Sequence, residues 1–358
     1  MKLAVVVVTY NCAAGLAELA DSLSGVLDGD DEVLLVDNAS SDGTARSARA
    51  LGLPIVEAGS NRGFAAACRI GADATSAPLL LFLNPDARPQ PGSLERLRAV
   101  ADERPDWAAW QPAVMLPDGR INSAGGVVHY LGLSWAGRCE QPASELADAP
   151  YDVPFASGAA LVIRREVWIE LDGFDDSYFL YGEDCELGLR LWLTGHRVGV
   201  EPRARVIHDY VFDKGPRKWF LLERNRWRTV IALYPARLLA LLAPALLVAE
   251  LGLLVVAARD GWLTAKLRAD LAATLGVRRA VRRRAAVQAQ RRIDDAAFAA
   301  VLTGSLDSPY LRRLPRALIH AQAWYFAAAR LLVRLLSAAP VRIARSAGEG
   351  SSGRPEDR

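Results

Sequence analysis

The chain has 358 residues, 51% hydrophobic and 23% charged, with a formal net charge of +2. That length supports one domain of roughly 200 residues with its own core, plus a second module. The four cysteines, Cys12, Cys68, Cys139 and Cys185, lie far apart and form no CxxC pair, which argues against structural zinc and reads as free thiols in a reducing compartment.

The apolar run after Lys2 covers only residues 3–8 and stops at Thr9-Tyr10-Asn11. It is too short for a signal or a span and reads as a buried strand, so the N-terminal half is expected in the cytosol. Leu16, Leu19, Ala20 and Leu23 follow at helical spacing. Residues 32–36 form a second strand ending in Asp37-Asn38, and Ser41 or Asp42 is available to cap the next helix. Residues 53–56 read as a third strand, 64–74 as a helix, and 78–83 as a fourth strand running into Asn84-Pro85-Asp86. Short apolar strands separated by helices predict an α/β fold with a mostly parallel sheet covered on both faces. Ligands of such sheets sit beyond the carboxyl ends of the strands, where three of these strands end in polar clusters.

A helix is expected over 93–101, followed by a stretch broken by Pro105, Pro112, Pro117, Gly119, Gly125 and Gly126. Residues 127–130 read as a strand, 137–152 as a surface loop and 159–163 as a strand leading to a short helix with Trp168. A helix over 182–193 follows, then a last short strand at 197–200 with His208 beyond it. Residues 218–234 are amphipathic and basic. Residues 238–258 carry Glu250 as their only charge, with Pro244 near the start. Residues 259–292 hold ten Lys and Arg against Asp260 and Asp270, a local net of +8 that leaves −6 for the rest. Residues 321–336 are apolar and helical but include Arg330 and Arg334, and the tail from Arg345 reads as disordered. The expected division is a catalytic domain at 1–215, a helical, membrane-associating region at 216–344 and a disordered tail at 345–358.

Moving a glycosyl group off a nucleotide requires neutralising a diphosphate, holding base and ribose, and taking a proton from the incoming hydroxyl. Asp37 is placed to accept from a base or ribose, unless it only caps a turn. Asp86 ends a rigid strand, although Asn-Pro-Asp also simply initiates turns. Glu183-Asp184 opens a helix whose N-terminus favours acids, and a bland helix start explains one acid better than two. Phe179 and Tyr181 either shape a pocket or merely pack, and His208 is a metal ligand or a structural histidine.

These residues carry a resemblance. Val-Val-Thr-Tyr-Asn at 7–11, Val-Asp-Asn-Ala-Ser-Ser-Asp-Gly-Thr at 36–44, Asn-Arg-Gly-Phe-Ala at 61–65, Leu-Asn-Pro-Asp at 83–86, Ser-Gly-Ala at 157–159 and the run at 173–190 around Gly-Glu-Asp occur in order over about 200 residues. The chain resembles family 2 of the inverting glycosyltransferases, with the GT-A nucleotide-diphospho-sugar transferase fold. Within it, the likeness is to rhamnosyltransferase-like bacterial members that build cell-surface polysaccharide.

The resemblance implies Thr9, Tyr10, Asn11, Asp37, Asn61, Arg62, Gly63, Asn84 and Asp86 around the donor. It implies Asp86, with His208, on Mg²⁺ or Mn²⁺; Ser157, Gly158, Phe179 and Tyr181 near sugar or acceptor; and Asp184 as base with Glu183 in support. The donor implied is a nucleoside-diphosphate sugar, dTDP-rhamnose or a related deoxyhexose favoured, and the acceptor a glycan or polyprenyl-linked glycan. Two departures stand out. Asn84 replaces the first acid of the frequent Asp-x-Asp motif, and Cys68 stands where an Asn is frequent.

The competing readings are a sugar nucleotidyltransferase, disfavoured because residues 9–15 lack a basic residue, and a non-catalytic glycan-binding or scaffold relative. Nucleic acid is not an expected partner, because no recognition motif surrounds the arginines. A homo-oligomer is compatible with the sequence. Residues 238–258 number 21 and reach about 31 Å as a helix, enough to span. Glu250 near their middle costs roughly 2.5–3.5 kcal/mol, and a span would carry the basic stretch outside. The expectation is therefore a peripheral or monotopic protein on the cytoplasmic face, its arginines on anionic lipid. The alternative is a buried helical subdomain.

Overall fold

The computed structural model describes residues 1–209, 215–306 and 315–338. The tail at 345–358 lies outside the described residues. In chain order the elements are β1 (Leu3–Thr9), α1 (Leu16–Ser24), β2 (Glu32–Asp37), α2 (Thr44–Ala50), β3 (Ile55–Glu57), α3 (Phe64–Asp73), β4 (Leu79–Leu83), β5 (Ala87–Pro89) and α4 (Ser93–Glu103). Next come β6 (Trp107–Met115), β7 (Ile121–Ser123), β8 (Gly126–Val128), β9 (Ser134–Ala136), β10 (Tyr151–Asp152), β11 (Ala160–Arg164), α5 (Arg165–Glu170), α6 (Glu183–Leu193) and β12 (Arg197–His208). Six helices follow: α7 (Pro216–Leu233), α8 (Ala236–Arg259), α9 (Leu263–Leu275), α10 (Val277–Ala289), α11 (Asp295–Val301) and α12 (Arg316–Ala338).

The fold is mixed α/β, and the sheet is mixed rather than mostly parallel. Strand order along the main path is β10-β12-β6-β11-β4-β1-β2-β3. The β4-β1-β2-β3 half is parallel, as expected. β11 then enters antiparallel to both β4 and β6. β6, missed in the sequence, is a nine-residue strand buried along its whole length. Its small residues and Pro112 hide it. Pro112 lies where the pairing with β12 shifts register between Glu201 and Arg205, a place where a missing N–H is tolerated. β12 is one continuous strand, not a short one at 197–200, and His208 is its last residue. The N-cap of α2 is Gly43, while Asp42 Oδ1 accepts from the Thr44 N–H at 3.0 Å.

Alternate residues of β1 serve two cores. Ala4, Val6 and Val8 face α3 and α6, with Phe82, Trp168 and Phe174 clustered below at 4.7–5.6 Å between ring centroids. Leu3, Val5 and Val7 face Leu19, Leu97 and Trp110. α6 is apolar on both sides. Leu187 and Leu191 join the sheet core, while Cys185, Leu189 and Leu193 join a third core with Leu233, Leu238, Phe298 and Phe326. The helical region is thus packed on the helix that begins with Glu183-Asp184. All four cysteines are free thiols, as expected.

Glu250 is not an isolated acid. Lys266 Nζ sits among Glu223 Oε2 (3.2 Å), Asp270 Oδ1 (2.6 Å) and Glu250 Oε1, and Arg226 bridges Glu223 (2.9 Å) and Glu250 (2.5 Å). The three carboxylates lie close enough to hold a metal ion. The fully buried ammonium already occupies the place a cation would take. Replacing it leaves carboxylates half-compensated in a buried setting, which costs about 3–5 kcal/mol. Lys266→Met is therefore expected to destabilise the chain by that amount in denaturant titration, and Mn²⁺ is not expected to restore it.

Candidate functional site

The expected donor residues converge at the carboxyl ends of β1 and β2. Thr9 donates to Asp37 Oδ1 at 3.3 Å, and the Ser40 N–H donates to Asp37 Oδ2 at 3.1 Å. Asn11, at φ 51, accepts from the Ser41 N–H at 2.8 Å, and its own N–H donates to Ser40 Oγ. Tyr10 stays exposed. Asn38, not singled out by its sequence context, ties the two loops together. It donates to Asn61 Oδ1 at 3.2 Å and accepts from the Arg62 N–H at 2.8 Å.

Gly63 has φ +85, and a Cβ there would lie 2.4 Å from the Phe179 carbonyl oxygen. This close approach lets the Phe64 N–H donate to Phe179 at 2.6 Å. The loop at residues 61–63 therefore rests directly on the segment that leads to Glu183.

At the ends of β4 and β12, His208 Nδ1 meets Asn122 Oδ1 at 3.1 Å, while Nε2 faces Asn84 Nδ2 at 3.3 Å and Asp86 Oδ1 at 3.2 Å. Asn122 takes the Nδ1 proton and leaves the Nε2 lone pair against a carboxylate. Asn84 Nδ2 is placed to donate to that lone pair, and a divalent ion would replace this bond with Nε2 and Asp86 Oδ1 as ligands. Ligands at about 2.1 Å in octahedral geometry sit about 3 Å apart, so this pair fits a divalent ion. Asn122 went unnoticed in the sequence because 86 positions separate it from His208, and only β12 running its full length brings them together.

Glu183 and Asp184 open α6, with Gly182 as N-cap. Asp184 Oδ2 accepts from the Gly158 N–H at 3.0 Å and Oδ1 from the Cys185 N–H at 2.8 Å. The Ser157 N–H is held by Gln111 at 2.7 Å, which fixes the strip that faces Asp184. Glu183 is buried, and among the described residues its Oε2 has no partner. Burial, then the neighbouring Asp184 charge, pushes the Glu183 carboxyl up to about 8. Burial also raises Asp184, opposed by its two backbone donors. Near neutral pH the negative charge therefore belongs on Asp184, and Glu183 carries a proton. Phe179 and Tyr181 flank the pair at φ 66 and 68, values that non-glycine residues hold only when their surroundings enforce them.

A cavity of about 560 Å³ brings Asn84, His208, Ser157, Gly158, Glu183 and Asp184 together, and Tyr181 also lines it. The cluster around Thr9 and Asp37 does not line this cavity.

A model of the family described as Glycosyl transferase family 2 matches residues 4–170. Over 240 residues the chain is 31% identical to the N-acetylglucosaminyl-diphospho-decaprenol L-rhamnosyltransferase of Mycobacterium tuberculosis, covering 60% of this chain and 78% of that protein. It is 30% identical over 213 residues to the pre-mycofactocin glycosyltransferase of the same organism, covering 58% of this chain and 42% of that one. Among solved structures, S. aureus TarS aligns with TM-score 0.53 at 16% identity, over 94% of this chain and 55% of that one. GalNAc-T7 with UDP, GalNAc and Mn²⁺ aligns with TM-score 0.54 at 19% identity, over 66% of this chain and 48% of that one. These two likenesses show the fold alone.

A carboxyl raised in the folded state supports folding fully below its unfolded value, and that support is lost as pH rises through the folded value. For Glu183 the window runs from about 4.5 to about 8. Thermal unfolding at pH 5, 7 and 9 is expected to show wild type losing stability across this window relative to Glu183→Gln. Parallel curves would refute the protonated Glu183.

Proposed function

This chain belongs to glycosyltransferase family 2, and we propose that it is an inverting enzyme moving rhamnose or a related deoxyhexose from a dTDP donor to a polyprenyl-linked glycan acceptor. Nucleotide-sugar glycosyl transfer follows from the family. The sugar and acceptor rest on the sequence motifs and on the printed name of the mycobacterial relative. The observation that carries the chemistry is Asp184 at a helix N-terminus, held by the Gly158 and Cys185 N–H groups beside Glu183, whose Oε2 has no partner among the described residues, in the same cavity as His208.

In this reading Asp184 takes the proton of the acceptor hydroxyl as its oxygen attacks the anomeric carbon from the face opposite the diphosphate. The Gly158 and Cys185 N–H groups keep Asp184 ionised and aimed. Asp37 and Asn11 hold the nucleoside, and the Asn61–Gly63 loop closes beside it. Asp86, His208 and Asn84 would hold Mg²⁺ or Mn²⁺, which when bound offsets the charge developing on the leaving diphosphate. Residues 1–215 form the catalytic domain in this reading, and 216–344 the membrane-associating region.

The helical region supports a place on the inner face of the membrane. Among the described residues α8 is the one helix long and apolar enough to cross, with 24 residues and mean hydropathy 2.5, yet only 11% of its apolar window is buried. That is not the packing of a buried core helix. Leu247, Val248, Leu251 and Val255 of α8 are exposed, as are Leu267, Leu271 and Leu275 of α9 and Leu331, Leu332 and Leu335 of α12. Glu250 binds α8 to α7 and α9 through Arg226 and Lys266, so crossing the bilayer would strand paired charges in hydrocarbon. Lying on the surface avoids that cost. The basic stretch is less available than its charge suggests. Arg283 pairs with Glu186, Arg284 donates to the Ile231 and Tyr234 carbonyls, and Arg291 pairs with Asp295. Arg268, Arg278 and Arg282 remain exposed for anionic headgroups, each worth about 1 kcal/mol near the surface.

Asp184→Asn is expected to lower kcat by about 10²–10⁴-fold, while Glu183→Gln, an isostere of the protonated acid, keeps most activity. Near-normal turnover by Asp184→Asn would sink the base assignment. Release of nucleoside diphosphate from a panel of nucleotide-sugars is expected to favour the dTDP-deoxyhexose, to stop in EDTA and to weaken in His208→Ala.

Liposome flotation is expected to recover the protein with anionic vesicles and less with neutral ones. No binding to either would return the exposed helices to contact with a second protein copy.

A further inference from the structure

We propose that Gln111 is a positioning residue for glycosyl transfer, fixing how far Asp184 stands from the group formed by Asn84, Asp86 and His208. The inference rests on the roles given above, Asp184 as base and the other three as metal ligands. Asp184 lies in the first turn of α6, Asn84 and Asp86 follow β4, and His208 ends β12. The hydroxyl that Asp184 deprotonates and the leaving diphosphate lie on opposite sides of one anomeric carbon, so transfer needs these elements at one separation. A misplacement of about 1 Å costs on the order of 10²-fold in rate.

Gln111 sits on β6 and is fully buried. Its Oε1 accepts from the Ser157 N–H at 2.7 Å. Its Nε2 donates to the Pro112 carbonyl at 3.0 Å and to the Ser123 carbonyl at 3.3 Å. An amide turned the other way would set its oxygen against two carbonyls and its NH₂ against an N–H, so one orientation alone satisfies it. Ser157, Gly158 and Ala159 come before β11, whose pairing with β4 begins at Ala160. The Ser157 N–H thus lies outside the strand ladder, and a buried N–H left unpaired is costly. Gln111 supplies what the sheet does not.

From Ser157 the contacts run forward residue by residue. The Gly158 N–H donates to Asp184 Oδ2 at 3.0 Å, and the Ala159 carbonyl accepts from the Asn84 N–H at 3.0 Å. From Ser123 they run back one residue to Asn122, whose Oδ1 meets His208 Nδ1 at 3.1 Å. His208 Nε2 faces Asn84 Nδ2 at 3.3 Å. The contacts therefore close into a ring through Gln111, the 157–159 strip, Asn84, His208, Asn122 and Ser123. Asp184 is attached to that ring at Gly158. Gln111 reaches both arms of it with one side chain. Asn in its place is one methylene short of spanning both partners. Glu still accepts from Ser157 but turns a second oxygen toward two carbonyls.

The test compares the full chain as wild type, Gln111→Leu and Gln111→Asn by thermal unfolding, steady-state transfer and titration calorimetry with Mn²⁺ alone. At saturating Mn²⁺ the variants are expected to lose about 10–10²-fold in kcat, with donor KM changed by less than about threefold. Their Mn²⁺ affinity is expected to fall about 10–100-fold, as loss of a group that orients metal ligands implies. Gln111→Asn keeps an amide and serves if Gln111→Leu fails to fold. A merely structural role gives a different result: a lower Tm, with kcat and Mn²⁺ affinity per folded molecule as in wild type. That result, or loss of only one of the two, overturns the proposal. Failure of the underlying roles shows without any change at Gln111: wild-type turnover that survives EDTA removes the metal, and normal turnover by Asp184→Asn removes the base.

Discussion

A single side-chain amide organises the cleft that holds Glu183 and Asp184. Asn225 Nδ2, on α7, reaches the carbonyls of Tyr178, Leu180 and Tyr181 at 3.0, 3.1 and 2.7 Å. The Arg224 guanidinium adds a donor to Tyr178 at 2.8 Å, and Arg228 donates to Ser177. Between these carbonyls the chain takes left-handed conformations at Phe179 and Tyr181, each costing about 1–3 kcal/mol. Hydrogen bonds worth about 1 kcal/mol net apiece offset that strain only when they are made together. The conformation they enforce turns the Phe179 carbonyl toward the Phe64 N–H, where only a glycine at 63 leaves room. The loop at residues 61–63 and the start of α6 are therefore fixed to each other, and both are fixed to α7.

The same geometry explains why two adjacent acids at a helix start are not redundant. Backbone N–H donors reach Asp184 from Gly158 and Cys185, whereas Glu183 Oε2 has no partner among the described residues. Burial makes two charges side by side expensive, so the pair divides into one ionised and one neutral group. A neutral carboxyl beside an ionised one lets the charged member keep its helix-terminal donors without a second anion pressing on it. Gln111, buried on β6, supports this from behind by holding the Ser157 N–H.

Much of this was legible because it is local. The parallel half of the sheet follows from runs of Val and Leu that end in Asn or Asp, and residues at the ends of parallel strands converge whatever lies between them. What was not legible depends on pairings distant in the chain. β6 reads as broken sequence because Pro112 falls at a register shift and because a strand covered by neighbours on both sides shows no alternation. Asn122 is unremarkable until β12 is seen to run unbroken to His208. Asn225 lies in a basic amphipathic stretch where Arg224, Arg226 and Arg228 draw attention as surface charge. In the fold, Arg226 is buried in ion pairs and the other two bind the strained loop. Net charge along a sequence does not tell whether arginines meet solvent or carbonyls.

Glu250 shows the same point with the opposite consequence. In sequence it is an acid near the middle of an apolar helix, to be set against a span by its insertion cost. In the fold it pins α8 to its neighbours through Lys266 and Arg226. α7 supplies Arg226 and Glu223 to that network and Asn225 to the loop before α6, at adjacent positions of one helix. A helix that repeats every 3.6 residues necessarily points such neighbours in different directions, so α7 is bonded at once to the apolar layer and to the cleft. Positioning the loop and fixing the helices that bear exposed leucines are therefore one structural problem. A buried ion-pair network solves it where apolar packing alone would allow α8 to slide, because charges in low dielectric tolerate few alternative partners.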